Sequence, residues 1–172
     1  AIIEDIVASG CIPDQKSHQF YPTPERLAAR VVEMADIGPD HTCLEPSAGV
    51  GGIASLLPVE RTQCVEVSGL HCKVLESKGY KVEQADFLAW TAGNKQVDRV
   101  VMNPPFDRGQ WQAHVLAAGR MVKPGGRLVA ILPASAKNKD VLPGFNCEWH
   151  GPFDNEFAGT SISVVVLVGD KQ

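Results

Sequence analysis

The chain has 172 residues, of which 44% are hydrophobic and 21% are charged. This length is typical of one domain and this composition of a soluble globular protein, so a disordered chain is excluded. The formal net charge is −4, and broad, unaided binding to duplex nucleic acid is disfavoured because it normally requires a basic excess.

Short apolar segments alternate with helical patterns along the chain. Segments rich in Val, Ile and Leu and bounded by turn residues are predicted to be strands at residues 42–45, 63–67, 81–84, 99–102, 127–132 and 162–168. Apolar residues at helical spacing predict helices at residues 24–35, 52–57, 69–78 and 110–122. The alternation predicts an α/β fold with a mostly parallel sheet covered on both faces. Since such sheets bind ligands at the carboxyl ends of their strands, functional residues are expected directly after the strands.

The first predicted strand runs into a glycine-rich turn, Leu44-Glu-Pro-Ser-Ala-Gly-Val-Gly-Gly52. Glycines allow a tight turn and let the backbone approach a ligand closely. The spacing is that of a dinucleotide-binding turn with Ala54 in place of the third glycine, so it leaves the ligand open and also fits a purely structural turn. Glu45 would repel a pyrophosphate and attract a cationic amino-acid group, and it therefore favours a cofactor that carries a positive charge.

Two further acids follow the next predicted strands. Glu66 ends the second strand, where a carboxylate accepts hydrogen bonds from the vicinal hydroxyls of a ribose. Asp86 follows the third strand and can accept a hydrogen bond from an adenine amine, and Phe87 can cover the base. Each acid alone would also fit a solvated surface. Together, three acids after consecutive strands predict a pocket for an adenosine that bears a cation.

The fourth predicted strand leads directly into Asn103-Pro-Pro-Phe106. The two prolines exclude a helix and leave backbone carbonyls free. The side chain of Asn103 and the carbonyl of Pro104 are two hydrogen-bond acceptors, and Phe106 offers a flat ring. This set suits a planar amine, whose two N–H bonds meet the acceptors while the ring stacks on the heterocycle. A structural turn is the alternative.

The remaining composition predicts neither disulfides nor a metal site. The chain has five cysteines, Cys11, Cys43, Cys64, Cys72 and Cys147. Their odd number and wide spacing match no disulfide framework, and no neighbouring histidine completes a zinc-binding pattern.

The longest apolar stretch, residues 162–168, is too short for a membrane span, and the chain begins without a signal-peptide pattern. We expect reduced cysteines, no membrane association and a cytoplasmic location.

These motifs together resemble those of the S-adenosylmethionine-dependent amino-methyltransferases, and most closely the adenine-N6 DNA methyltransferases. The matching segments are residues 20–24 (Phe-Tyr-Pro-Thr-Pro), 44–51, Glu66, 85–88 and 103–106, with residues 123–131 and 161–168 similar to later strands of the family's sheet. The Asn-Pro-Pro-aromatic motif is shared by DNA-, RNA- and glutamine-directed enzymes, and the Phe-x-x-Thr-Pro segment shifts the balance towards the adenine enzymes. The resemblance implies the class I methyltransferase fold, a Rossmann-like, doubly wound sheet of about seven strands.

The resemblance also implies a role for each matching residue. The residues expected to bind S-adenosylmethionine are Phe20, Thr23, Glu45, Pro46, Ala48, Gly49, Gly51, Glu66, Asp86, Phe87 and Asn103. The catalytic residues expected to receive the target amine are Asn103, Pro104, Pro105 and Phe106. The implied reaction transfers a methyl group to the N6 amine of adenine in DNA, gives S-adenosylhomocysteine as product and needs no metal. In duplex DNA the adenine would be flipped out of the stack.

One departure from the family concerns target recognition. Family members carry a recognition region after the last strand or between the third and fourth strands, and neither position holds one here. We therefore expect one catalytic domain over residues 1–172, with residues 1–19 as an N-terminal extension. Target choice would come from loops, a partner chain or a missing region. Methylation of RNA adenine or protein glutamine, and a non-catalytic subunit that binds cofactor or a partner, stay open as alternatives.

Overall fold

The computed structural model describes residues 22–90, 95–154, 157 and 162–172. The helices in this part of the chain are α1 (Glu25–Ala35), α2 (Gly69–Ser77), α3 (Phe87–Trp90) and α4 (Gln110–Arg120). The strands are β1 (Cys43–Glu45), β2 (Thr62–Glu66), β3 (Lys81–Gln84), β4 (Val97–Met102), β5 (Val122–Pro133), β6 (Phe145–Asp154) and β7 (Ser163–Lys171). Phe20 and the predicted extension at residues 1–19 lie outside the described residues.

The strands form one seven-stranded sheet in the order β3-β2-β1-β4-β5-β7-β6. Strands β1 to β5 are parallel, and β7 runs antiparallel between β5 and β6. The chain builds the sheet outward from β1 in one direction and from β4 in the other, so a crevice opens at the carboxyl ends of these two strands. The predicted α/β fold, a doubly wound and mostly parallel sheet of about seven strands, is confirmed.

Apolar side chains cover both faces of the sheet because neighbouring residues of a strand point to opposite sides. Val100 and Met102 of β4 pack in a cluster that contains Val115 of α4. Val101, between them, packs in a second cluster that contains Leu27 of α1. Helices α1 and α4 therefore lie on opposite faces, and both faces of β4 are buried from Val100 to Met102, the residue before Asn103.

The predicted helix at residues 52–57 is wrong. This segment forms only a 3-10 turn over Ala54–Leu56. Leu57 precedes Pro58 and has the extended backbone of φ −97° and ψ 154°, as expected because the proline ring disfavours a helical conformation in the residue before it. The segment is therefore too short for an α-helix.

Two elements were not predicted, and several boundaries differ, most of all where α4 gives way to β5. Strand β6 is an edge strand whose side chains are half-buried or exposed, so it lacks the apolar pattern by which strands are predicted. Helix α3 has only four residues. The predicted helix at residues 110–122 ends at Arg120, and β5 already begins at Val122.

The described residues hold no disulfide. Cys43, Cys64 and Cys72 are buried free thiols, and Cys147 is an exposed one. In the same ranges no helix is long and apolar enough to cross a membrane. No group of three or more His, Cys, Asp or Glu residues among them could hold a metal ion.

A hydrogen-bonded pair joins the start of β1 to the start of β4. Asp98 accepts hydrogen bonds at Oδ2 from the backbone N–H of Thr42, at 2.8 Å, and from its hydroxyl, at 3.0 Å. The pKa of Asp98 is held below its usual value mainly by the hydrogen bond from the backbone N–H of Thr42. Burial raises this pKa, whereas the Thr42 hydroxyl and the Lys123 cation lower it further. The ionised carboxylate therefore stabilises the contact between the two central strands.

We expect Asp98→Ala to lower the free energy of unfolding by about 2 kcal/mol at pH 7, because it removes charged hydrogen bonds and leaves the Thr42 N–H without its acceptor. Since the folded pKa is depressed, this contribution is present above the unfolded pKa and is lost as pH falls through the folded value. Urea denaturation at pH 7 and pH 3 should show the deficit shrinking in acid. Asp40→Ala, at an exposed position, is the control, and an equal deficit at both pH values would contradict this account.

Candidate functional site

A cleft of about 420 Å³ lies at the carboxyl ends of β1, β2, β3 and β4. The predicted site residues that line it are Thr23, Glu45, Pro46, Ala48, Glu66, Asp86, Phe87, Asn103, Pro104, Pro105 and Phe106. The remaining described candidates, Gly49 and Gly51, are not among the residues that line it. The fold therefore brings together segments that are widely separated in the chain.

Glu45 ends β1 and is buried, with 1% of its surface exposed. Its Oε2 accepts a hydrogen bond from the N–H of Ser47, at 2.8 Å. Burial raises the pKa of Glu45 well above its usual value, and the negative charge of Glu66 raises it further. Hydrogen bonds from the backbone N–H groups of Ser47 and Asn103 lower the pKa but do not cancel this shift. No cation of the described residues offsets the burial of this carboxylate, so its charge is costly without a ligand.

Glu66 ends β2 and is held by backbone N–H groups from two directions. Gly49 donates to its Oε1, at 2.9 Å, and Ser68 donates to its Oε2, at 2.7 Å. Nδ1 of His71, in the first turn of α2, lies 3.5 Å from Oε2. A carboxylate has about four acceptor positions, so these contacts fix its orientation and leave acceptor capacity for hydroxyl groups in the cleft.

The two glycines serve the turn itself. The backbone N–H of Gly49 donates a hydrogen bond to the carboxylate of Glu66. Gly51 has φ +95°, and a Cβ there would lie 3.2 Å from the Leu75 side chain. A side chain would be strained at this φ, so Gly51 lets the turn pass close to α2. The predicted direct contact of these glycines with a ligand stays a prediction.

Asp86 and Phe87 follow β3, and Phe87 is the first residue of α3. Asp86 is exposed, and its Oδ1 accepts a hydrogen bond from the N–H of Leu88, at 3.0 Å. Phe87 is 2% exposed, and its ring stacks on Trp90 with centroids 6.0 Å apart. The other carboxylate oxygen of Asp86 is therefore available to a ligand, whereas most of the Phe87 ring packs in the hydrophobic core.

Asn103 directly follows β4, and its side chain has a fixed orientation. Its Nδ2 donates a hydrogen bond to Oγ1 of Thr23, at 3.0 Å, across a separation of 80 residues. With the amide nitrogen engaged, Oδ1 of Asn103 is the atom left to accept hydrogen bonds in the cleft. Pro104 is buried, and Pro105 and Phe106 are half-buried at the cleft wall. Asn103 therefore lies beside both Glu45 and the proline segment.

The cleft is also lined by residues to which the sequence assigned no individual role. They are Pro22, Ser47, Val50, Gly52, Ile53, Val67, Ser68, His71, Ala85, Asp107, Gln110, His114, Phe157 and Ile162. Several adjoin predicted residues in the chain. Gln110 and His114 are four residues apart on α4, and this helical spacing directly after the proline motif was the signal that could have identified them.

The residues present fit an adenosine that bears a cation. The buried Glu45 carboxylate lacks a cation among the described residues, and a ligand ammonium would supply one. Glu66 keeps acceptor positions for hydroxyls, and Asp86 keeps one for an amine. These residues would hold the amino-acid, ribose and adenine parts of S-adenosylmethionine respectively.

Comparison with known proteins identifies the fold. No family model and no curated protein matches the sequence. TrmN from Thermus thermophilus is similar in structure, with a TM-score of 0.67 at 22% identity over 86% of this chain and 49% of that chain. The M protein of the type I restriction enzyme EcoKI is similar with a TM-score of 0.70 at 14% identity, over 87% of this chain and 43% of that chain. Precorrin-6y C5,15-methyltransferase from Geobacter metallireducens is similar with a TM-score of 0.63 at 13% identity, over 86% of this chain and 89% of that chain.

The chain spans about half the length of TrmN and somewhat less of the EcoKI M protein. At these identities the similarity shows a common fold. The chain has the Rossmann-like class I methyltransferase fold, as the sequence motifs predicted.

The cost of burying Glu45 is testable without a ligand. Since its folded pKa is raised, ionisation at neutral pH destabilises the fold, and the penalty disappears as pH falls below the unfolded pKa. We expect Glu45→Gln to raise the free energy of unfolding by about 1–2 kcal/mol at pH 8, with a smaller gain at pH 5. Thermal denaturation at both pH values measures this. A loss of stability at pH 8 would contradict the account.

Proposed function

We propose that the chain transfers the methyl group of S-adenosylmethionine to the N6 amine of adenine in DNA. The observation that carries this proposal is the orientation of Asn103: its amide nitrogen is engaged by Thr23, and its oxygen is left as an acceptor in the cleft that contains Glu45. An acceptor for a planar amine and a carboxylate for a cationic methyl donor therefore lie in one cavity.

The proposed chemistry depends on polarising a weak nucleophile. The lone pair of the adenine amine is delocalised into the ring. Oδ1 of Asn103 and the carbonyl of Pro104 would accept its two N–H bonds, draw the nitrogen towards tetrahedral geometry and localise the lone pair. Phe106 would stack on the base and fix the direction of approach. When bound, S-adenosylmethionine would supply the methyl group, leaving S-adenosylhomocysteine, and the methylated nitrogen would lose one of its two protons to solvent.

Target recognition is proposed to come from outside the described cleft. The chain covers 43% of the EcoKI M protein, and that protein's name places it in a restriction enzyme. We infer a catalytic domain that recognises its target sequence with help from another region or a partner chain. This inference accounts for the net charge of −4, because a helper could supply most of the phosphate contacts.

A methyl-donor assay tests the substrate directly. The protein is incubated with tritiated S-adenosylmethionine and separate pools of DNA, RNA and protein, and label on adenine in DNA supports the proposal. Label confined to RNA or to protein would overturn the DNA assignment. Cofactor binding without label in any pool would favour the non-catalytic alternative.

Asn103 and Thr23 provide matched variants. Asn103→Ala should lower kcat by about 100-fold or more, because it removes a contact to charge that develops in the transition state, with little change in the Kd of S-adenosylhomocysteine. Thr23→Val keeps the shape of the side chain and removes the acceptor that orients Asn103, so we expect kcat to fall by about tenfold. Thr23→Ser restores the hydroxyl and should be near wild type. Full activity of Asn103→Ala would disprove the assigned role.

A further inference from the structure

Lys78, the residue that follows α2, reaches back to the glycine-rich turn after β1. Its Nζ donates a hydrogen bond to the backbone carbonyl of Val50, at 2.7 Å, across a separation of 28 residues. Burial lowers the pKa of Lys78, as expected where an ammonium group is partly withdrawn from water. Lysines near a helix C-terminus commonly hydrogen-bond the last carbonyls of their own helix. The ammonium group of Lys78 contacts a different segment, which indicates a role outside α2.

The turn that receives this contact is built from backbone hydrogen bonds. The N–H of Gly51 donates to the carbonyl of Ala48, at 2.9 Å, and the N–H of Ala48 donates to the carbonyl of Val65 in β2, at 3.1 Å. Gly49 and Gly51 have positive φ values, +55° and +95°, which glycine adopts without strain. Because glycine also adopts many other conformations, the shape of the turn depends on contacts from neighbouring elements.

Helix α2 is flanked by such contacts at both of its ends. Directly before the helix, the N–H of Ser68 donates to the carboxylate of Glu66, whose other oxygen accepts a hydrogen bond from Gly49 of the turn. Directly after the helix, Lys78 donates to the carbonyl of Val50. The helix therefore links the orientation of the Glu66 carboxylate to the shape of the glycine-rich turn.

Val50 is a point where this turn meets the cleft. Its side chain is 6% exposed and lines the cleft, as do Ala48 and Glu45. Lys78 is not among the lining residues, so it binds the carbonyl of Val50 from outside the cleft. The contact therefore fixes, from behind, a segment that forms the cleft wall next to Glu45 in the chain.

We propose that Lys78 is a positioning residue that holds the glycine-rich turn in the shape that binds the amino-acid end of S-adenosylmethionine. The inference rests on the proposed function and on Glu45 as the partner of that end of the cofactor. A turn already held in its binding conformation avoids the entropic cost of becoming ordered when the ligand arrives. Loss of the ammonium group of Lys78 therefore weakens binding without removing any contact to the ligand.

Calorimetric titration with S-adenosylhomocysteine and with 5′-methylthioadenosine tests this without any nucleic acid. The second ligand has the same nucleoside and sulfur but lacks the amino-acid group. Lys78→Met keeps an unbranched side chain and removes the donor, so we expect the Kd of S-adenosylhomocysteine to rise by about 3- to 10-fold. The Kd of 5′-methylthioadenosine should change by less than about twofold. A general loss of structure would instead weaken both ligands equally.

Two matched variants serve as controls. Lys78→Arg keeps a cation that can donate to a single carbonyl, and it should bind S-adenosylhomocysteine within about threefold of wild type. Lys73→Met removes a cation from an exposed position of α2 and should leave both Kd values unchanged. Thermal denaturation of the ligand-free proteins identifies the variants that are folded at the temperature of the titration.

The outcomes that overturn the inference are distinct from failure of the proposed function. If wild type binds S-adenosylhomocysteine and Lys78→Met binds it equally well, or weakens both ligands to the same extent, the role of Lys78 is disproved and the cofactor assignment stands. If Lys78→Met does not fold, Lys78→Ala, which also lacks the donor, takes its place and is expected to show the same selective loss. If wild type binds neither ligand, both the inference and the proposed function fail.

Discussion

The reversal of strand order between β1 and β4 is the constraint on which the cleft depends. The two strands are hydrogen-bonded neighbours, with Leu44 opposite Val100, and Asp98 joins their starting ends through Thr42. The connections that follow them lead away to opposite sides of the sheet, so their carboxyl ends border an open crevice. Glu45 ends β1 and Asn103 directly follows β4, and the sheet itself therefore places an acid and an amide side by side.

The contents of that crevice reduce the stability of the ligand-free protein. Glu45 is buried near another carboxylate, Glu66, and without a cation among the described residues. Nδ1 of His114 is buried without a partner in the same set of residues. Each feature costs free energy in the free protein, and the cost of burying Glu45 would be relieved by a ligand that carries an ammonium group. Unfavourable polar groups in an otherwise well-packed fold are expected at functional sites.

Sequence patterns predicted the parts of the structure that depend on local chemistry. The parallel strands and the motifs at their ends are visible because buried strands are apolar and the residues after them change type abruptly, as at Met102 and Asn103. Strand β6 was missed because an exposed edge strand has no such contrast. The Thr23–Asn103 hydrogen bond and the partnerless Nδ1 of His114 were also missed. Both arise from packing between distant segments, which no local spacing encodes.

We propose that Glu45 binds the ammonium group of S-adenosylmethionine. Calorimetric titration of S-adenosylhomocysteine between pH 5 and pH 7, in two buffers with different heats of ionisation, measures the protons exchanged on binding. Because an arriving ammonium lowers the raised pKa of Glu45, we predict that binding releases protons and tightens as pH rises. This linkage should disappear in Glu45→Gln, which should also bind more weakly. Proton uptake, or identical behaviour of wild type and Glu45→Gln, would contradict the account.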